Sequence, residues 1–190
     1  MIRIFLLFFL WNVSFAQSNE ATLFFKDGTS VKGFGTIKKN KIQFRASLND
    51  EPDLWDEVLV ESIVFDPEDT FVKYAFVKPD KMSKYKIMKV ITEGEVTLYE
   101  HVVIDYFDFD DPPFTINLPG TQHQPYQPEK TRHYVQKKKE EFPTLLKDGF
   151  GRIKKYFSDC ETLVKKIENN QFYRNEIQQI VEYYNDICAE

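Results

Sequence analysis

The chain has 190 residues, with 30 acidic against 25 basic side chains, a formal charge of −5 and 42% hydrophobic residues. That length supplies one domain, or one domain with a small annex, and enough apolar surface for a sizeable core. An acidic balance broken only by short lysine runs, at 38–41 and 137–139, excludes a phosphate-tracking surface and so nucleic acid as a partner; both runs are expected to be solvated turns.

Residues 1–16 read as a secretory signal peptide. Arg3 gives a positive start, Ile4 to Trp11 are an unbroken apolar run, and Ser14-Phe15-Ala16 sets small residues around a cut before Gln17. The run is too short to span a bilayer, which takes about 20 apolar residues, and no later stretch is apolar enough to do so. No cysteine follows the cut, so a lipid anchor at that position is not available. Cleavage removes Arg3 and no acid, which leaves an exported chain of charge −6.

Residues 17–104 predict an antiparallel β-rich unit. Thr22 to Lys26 run into Asp27-Gly28, a strong hairpin signal, and Val31 to Ile37 return. Lys39-Asn40 turns the chain into Ile42 to Ala46, where Ile42, Phe44 and Ala46 share a face by period two. Leu54-Trp55 and Ser62 to Phe65 are further short apolar runs. Phe71 to Val77, apolar on both faces apart from Lys73, predicts a central strand. Tyr85 to Ile91 and Val96 to Ile104 follow, with Glu93-Gly94 as the turn between them. Gly33-Phe34-Gly35 lacks the third glycine and following helix of a phosphate loop, so these glycines are expected to mark a bend or bulge where a small barrel curls tightly.

Residues 105–132 change character. Asp105, Tyr106, Asp108, Phe109, Asp110 and Asp111 mix acids with aromatics, and five prolines between 112 and 128 prevent regular ladders. An exposed excursion is expected there. Its aspartates could supply several oxygens to calcium, although the spacing is not that of an EF-hand. Its aromatics could instead contact a partner protein or glycan, or fold back as a lid over the β-unit.

Residues 133–190 predict a last strand around Tyr134-Val135-Gln136 and then a helical annex. A short helix is expected over Phe150 to Phe157. Ser158 with Glu161 matches a capping box, so a second helix should start there. Cys160, Leu163, Val164 and Ile167 form its apolar stripe, and Asn169-Asn170 ends it. In the last helix Ile177, Ile180, Val181, Tyr184, Ile187 and Cys188 have the same spacing. The short connection makes these two helices antiparallel, which brings Cys160 beside Cys188. In an oxidising compartment they should form a disulfide. Two cysteines this far apart, without a nearby histidine, lack zinc-site spacing.

No residue is assigned a catalytic role and no metal or cofactor is required. A small hydrolase would have to use Glu93 and Glu95, an i, i+2 carboxylate pair, or His101, one of only three histidines. The simpler readings are a solvated hairpin tip around Gly94 and a strand histidine.

The signal ending Phe-Ala-Gln, "FFKDGTSVKGFGTI", "EGEVTLYE" and the closing "YFSDC…IVEYYNDIC" together resemble exported proteins of Bacteroidota-type bacteria that have no defined activity. The resemblance implies a cell-envelope or secreted location and a plan of β-unit then helices. It brings no functional residues. Lys26-Asp27-Gly28-Thr29 with Gly33 also resembles the first hairpin of SH3-like or Sm-like small barrels. The expectation is an α+β protein, a small antiparallel barrel or sheet with a helical annex, that binds an envelope protein or glycan. A calcium- or glycan-dependent binding module and a small hydrolase are the alternatives.

Overall fold

The computed structural model describes residues 19–66, 71–103, 130–146, 149–173 and 176–189. Ten strands occur in chain order: β1 (Asn19–Phe25), β2 (Ser30–Lys38), β3 (Lys41–Arg45), β4 (Asp53–Trp55), β5 (Val60–Phe65), β6 (Val72–Val77), β7 (Lys86–Thr92), β8 (Val96–Val103), β9 (Lys130–Lys137) and β10 (Thr144–Leu146). They form one antiparallel sheet in the order β10-β9-β8-β7-β6-β5-β1-β2-β3-β4. Helices α1 (Phe150–Tyr156), α2 (Glu161–Glu168) and α3 (Ile177–Tyr183) follow, and α3 continues into one π-helical turn, Tyr184–Cys188. The fold is α+β, as expected. Of barrel and sheet, the open sheet is what forms, with β4 and β10 as its ends. Among the described residues, no helix is long and apolar enough to cross a membrane.

Local chemistry sets the hairpins. Between β1 and β2 the loop is Lys26-Asp27-Gly28-Thr29, with Gly28 at φ 85° in the left-handed region that its missing Cβ permits. Asp27 Oδ1 accepts hydrogen bonds from the hydroxyl (2.6 Å) and the N–H (2.9 Å) of Thr29, which hold its carboxyl below the usual range. Between β2 and β3, Lys39 and Asn40 both have positive φ, 49° and 58°, the type I′ geometry of a two-residue hairpin. The Asn40 side chain then reaches across the sheet. Its amide donates to the Tyr85 carbonyl at 2.8 Å and accepts from the Ile87 N–H at 2.7 Å.

That reach requires the sheet to curl. The glycines of β2 permit it: a Cβ on Gly35 would lie 2.6 Å from Ile63 Cδ1, and one on Gly33 would lie 2.3 Å from the Arg45 carbonyl. These are close-approach glycines: the register runs through them without a bulge, and the sheet they belong to is open.

Register shows how one sheet serves two cores. Directly paired residues share a face, so Leu23, Ile63, Tyr74, Lys89, Glu100 and His133 lie in one row across β1 to β9. Near β1–β5 this face is the inside of the curl and buries Ala21, Leu23, Ile42, Phe44, Val60, Ile63 and Phe65. Near β8 and β9 the same face presents Val96, Leu98 and Val135 to the helices, which add Ile153, Phe157, Leu163, Ile167, Ile180 and Val181. The reverse face carries a smaller cluster of Val77, Met88 and Tyr134. β6, expected to be central, lies between β5 and β7, but its residues up to Phe76 are only half-buried. β8 and β9 pair from Val96↔Lys137 to Val103↔Lys130, so residues 104–129 connect the two strands of a hairpin.

The annex is fastened at its base. Cys160, immediately before α2, and Cys188, at the end of the π-turn, form a disulfide with Cα atoms 5.8 Å apart. Two expectations need correction. Ser158 does not cap α2: it lies in the turn that follows α1, and Cys160 occupies the cap position without a side-chain capping bond. Ile187 is exposed, because a π-helical turn holds more residues than an α-turn and rotates it off the stripe that Ile177, Ile180, Val181 and Tyr184 keep. The predicted stop at Asn169-Asn170 is present, with Asn170 at φ 54°.

Candidate functional site

The catalytic candidates do not converge. Glu93 pairs with Lys73 at 2.7 Å and Glu95 with Lys138 at 3.6 Å. Both acids therefore brace the β7–β8 turn. His101 lies six residues along the strand from Glu95, about 20 Å at the usual rise. On the reverse face its cross-strand neighbour is Arg132, and its Nδ1 is buried with no partner among the described residues. Burial, then the charges of Lys86 and Arg132, lower its pKa and keep the ring neutral. The adjacent carboxylate, Glu100, projects from the opposite face and lies 3.7 Å from His133. Among the described residues no three His, Cys, Asp or Glu side chains group to hold a metal ion. The candidate loop Asp105, Tyr106, Asp108, Phe109, Asp110 and Asp111 lies outside the described residues.

A dense polar cluster is structural, and it corrects the expectation that Lys137 is a solvated turn residue: Lys137 is the last residue of β9. Lys137 Nζ donates to Asp159 Oδ2 at 2.8 Å and lies 5.2 Å from the ring centroids of both Tyr156 and Tyr184. The Tyr184 hydroxyl donates to the same Asp159 oxygen at 2.7 Å, and the Tyr156 hydroxyl donates to Glu140 at 2.7 Å. Burial, then the Glu140 carboxylate, pushes the Tyr156 hydroxyl far up; burial, then Asp159, does the same to Tyr184. Burial opposes the charge on Asp159, but the bonds from Lys137 and Tyr184 outweigh it and hold its pKa below the usual value. These groups satisfy one another and tie β9 to the base of the annex. A second tie is Asn185, whose amide donates to the Val96 carbonyl (2.9 Å) and accepts from its N–H (2.8 Å), as a paired strand would. Gly94 makes room for it, since a Cβ there would lie 2.4 Å from Asn185 Cγ.

The remaining features are surfaces. A groove of about 760 Å³ runs over Phe24, Phe34, Lys32 and Val64, but its rim at Glu20, Asp66 and Phe71 borders segments outside the described residues. A second groove, about 510 Å³, opens at the end of the curl and is lined wholly by described residues. Its aromatic lining is Phe25 and Trp55, packed edge-to-face with centroids 5.2 Å apart. Val58 and Leu59, 68% and 59% exposed, form its lip, and Lys26, Asp27 and Thr29 of the first hairpin face them. The neighbouring strand β4 is paired only with β3 and displays Leu54 at 61% exposure. The alternation of Leu54 and Trp55 could have marked an exposed–buried pair on an edge strand. Nothing in the sequence sets Phe25 against Trp55.

No family model matches the chain, and no curated protein or solved structure is significantly similar to it.

Proposed function

We propose that the protein is a non-catalytic, exported binding protein of the bacterial cell envelope, an SH3-like β-unit with a disulfide-closed helical annex, of the kind seen in exported Bacteroidota-type proteins. The observation that carries the binding function is the apolar groove with Val58 and Leu59 exposed at its lip beside a one-sided strand. Contiguous exposed apolar surface is costly to leave in water and marks contact sites. The Cys160–Cys188 disulfide supports export, because such bonds persist in oxidising compartments. The SH3-like reading is supported by β1 to β4 pairing in succession while β5 returns to β1, and by the tight curl at Gly33 and Gly35.

The test is reversible cross-linking of the mature protein in the envelope fraction, with Val58→Glu and Leu59→Glu as controls. A partner recovered with the parent chain and lost with both variants is expected. Recovery of the chain alone from every fraction would refute the binding role.

A further inference from the structure

From the edge strand, the groove and the charge around them, we infer that the open end of the curl receives an extended, cationic and apolar peptide segment of a partner protein. The inference rests on the binding role proposed above and names the chemistry of the occupant. β4 pairs with β3 through Ile42↔Trp55, Gln43↔Leu54 and Phe44↔Asp53, and its other side has no strand partner among the described residues. An extended chain can add there by main-chain hydrogen bonds, with pockets for alternate side chains supplying selectivity. Trp55 faces inward against Phe25, while Val58 and Leu59 offer apolar contact at the adjoining lip.

Charge selects among the possible occupants. Asp50, Glu51, Asp53, Asp56 and Glu57 place five acids within eight residues around β4, and residues 46–60 contain no base. The nearest lysine of the groove, Lys26, is already committed: its ammonium donates to the Glu57 carbonyl and lies over the Tyr85 ring at 5.6 Å. A second copy of this chain pairing about β4 would bring two such acidic sets together, which opposes self-association. Asp53 and Trp55 share one face of β4 and Leu54 takes the other, so a strand that mixes Lys or Arg with Val, Ile or Leu offers charge to the acids and apolar contact to the lip.

Trp55 makes the inference testable, since the only other tryptophan, Trp11, is lost with residues 1–16. The mature chain would be titrated with a peptide of about eight residues alternating Lys and Val, long enough to run past β4 at both ends. Equivalent peptides alternating Glu with Val, and Lys with Gly, serve as comparisons. The expected result is a saturable change in Trp55 emission with the Lys-Val peptide alone. It should weaken about tenfold as salt rises from about 0.05 to about 0.5 M, which shortens the screening length. Charge reversal by Asp53→Lys with Glu57→Lys should weaken it at least about tenfold, as loss of the charge complementarity requires. Equal response to the Lys-Gly peptide would reduce the effect to charge and overturn the inference. So would equal response to the Glu-Val peptide, no response to any, or a concentration-dependent dimer in sedimentation. Partner recovery in the envelope experiment alongside failure here would leave the binding role standing and remove only this class of occupant.

Discussion

Removing the disulfide is the sharpest perturbation of the architecture. Cys160 and Cys188 are separated by 28 residues, and closing a loop of that size restricts the unfolded chain by about 3.6 kcal/mol in the chain-entropy model. Against a total stability of about 5–15 kcal/mol, that is a large share. The variant to use is Cys160→Ala with Cys188→Ala, because Cys160 is buried in the helix–sheet core and a serine there would add the cost of an unpartnered hydroxyl. Equilibrium urea unfolding followed by far-UV circular dichroism measures the loss. With a slope of about 2 kcal/mol per molar, the midpoint should fall by about 1.8 M. The slope itself should rise, since an uncrosslinked unfolded chain exposes more surface. A loss below about 1 kcal/mol would refute the reasoning, and would mean that the unfolded chain keeps the two cysteines close even without the bond.

Other substitutions probe the ties identified above. Asn185→Ala leaves the N–H and carbonyl of Val96 without their side-chain partner and should cost about 2–3 kcal/mol in urea unfolding. Gly33→Ala should destabilise more than Gly35→Ala, because the first added methyl meets a backbone carbonyl and the second meets the movable end of Ile63; thermal melts of the pair give the order. For pH, the raised pKa values of Tyr156 and Tyr184 contribute stability fully present below the unfolded value of about 10, lost as pH rises toward their folded values. The depressed pKa of Asp159 works at the other end, contributing above about 3.8 and lost as pH falls through its folded value. Unfolding at stepped pH should show both limbs. Tyr184→Phe should flatten the alkaline limb, and Asp159→Asn the acid one.

Features dictated by neighbours in sequence were the legible ones. Gly28, Lys39-Asn40 and Asn169-Asn170 act within a few residues of themselves, so turn chemistry located two hairpins and a helix end. Period-two and period-3.6 patterns found most strands and the buried stripe of Leu163 and Ile167. The cysteine pairing was legible because the only two cysteines stand at the outer ends of two consecutive short helices. What failed or was missed depends on partners distant in the chain. Asn40 clasps residues 45 and 47 positions away, Asn185 reaches Val96, and Lys137 owes its burial to tyrosines of the annex. Ser158 carried the right local signature, but the turn after α1 moved the start of α2 past it. The groove was invisible for the same reason: Phe25 and Trp55 meet only because the sheet curls.

The two cores share a sheet face but have separate fasteners, and that makes their independence measurable. The annex is held by the disulfide, by the Lys137 cluster and by Asn185 on β8 and β9. The curl is held by the Asn40 clasp to β7 and by the close approach of Gly35 to Ile63, and Trp55 belongs to that core. In the sheet, the β6–β8 stretch lies between them. Reduction of Cys160–Cys188 in native buffer should therefore loosen helical hydrogen-exchange protection near Cys188 while Trp55 emission stays unchanged. A shift of Trp55 on reduction, without denaturant, would show that the annex helps to shape the groove. The groove end and the disulfide end would then be one mechanical unit.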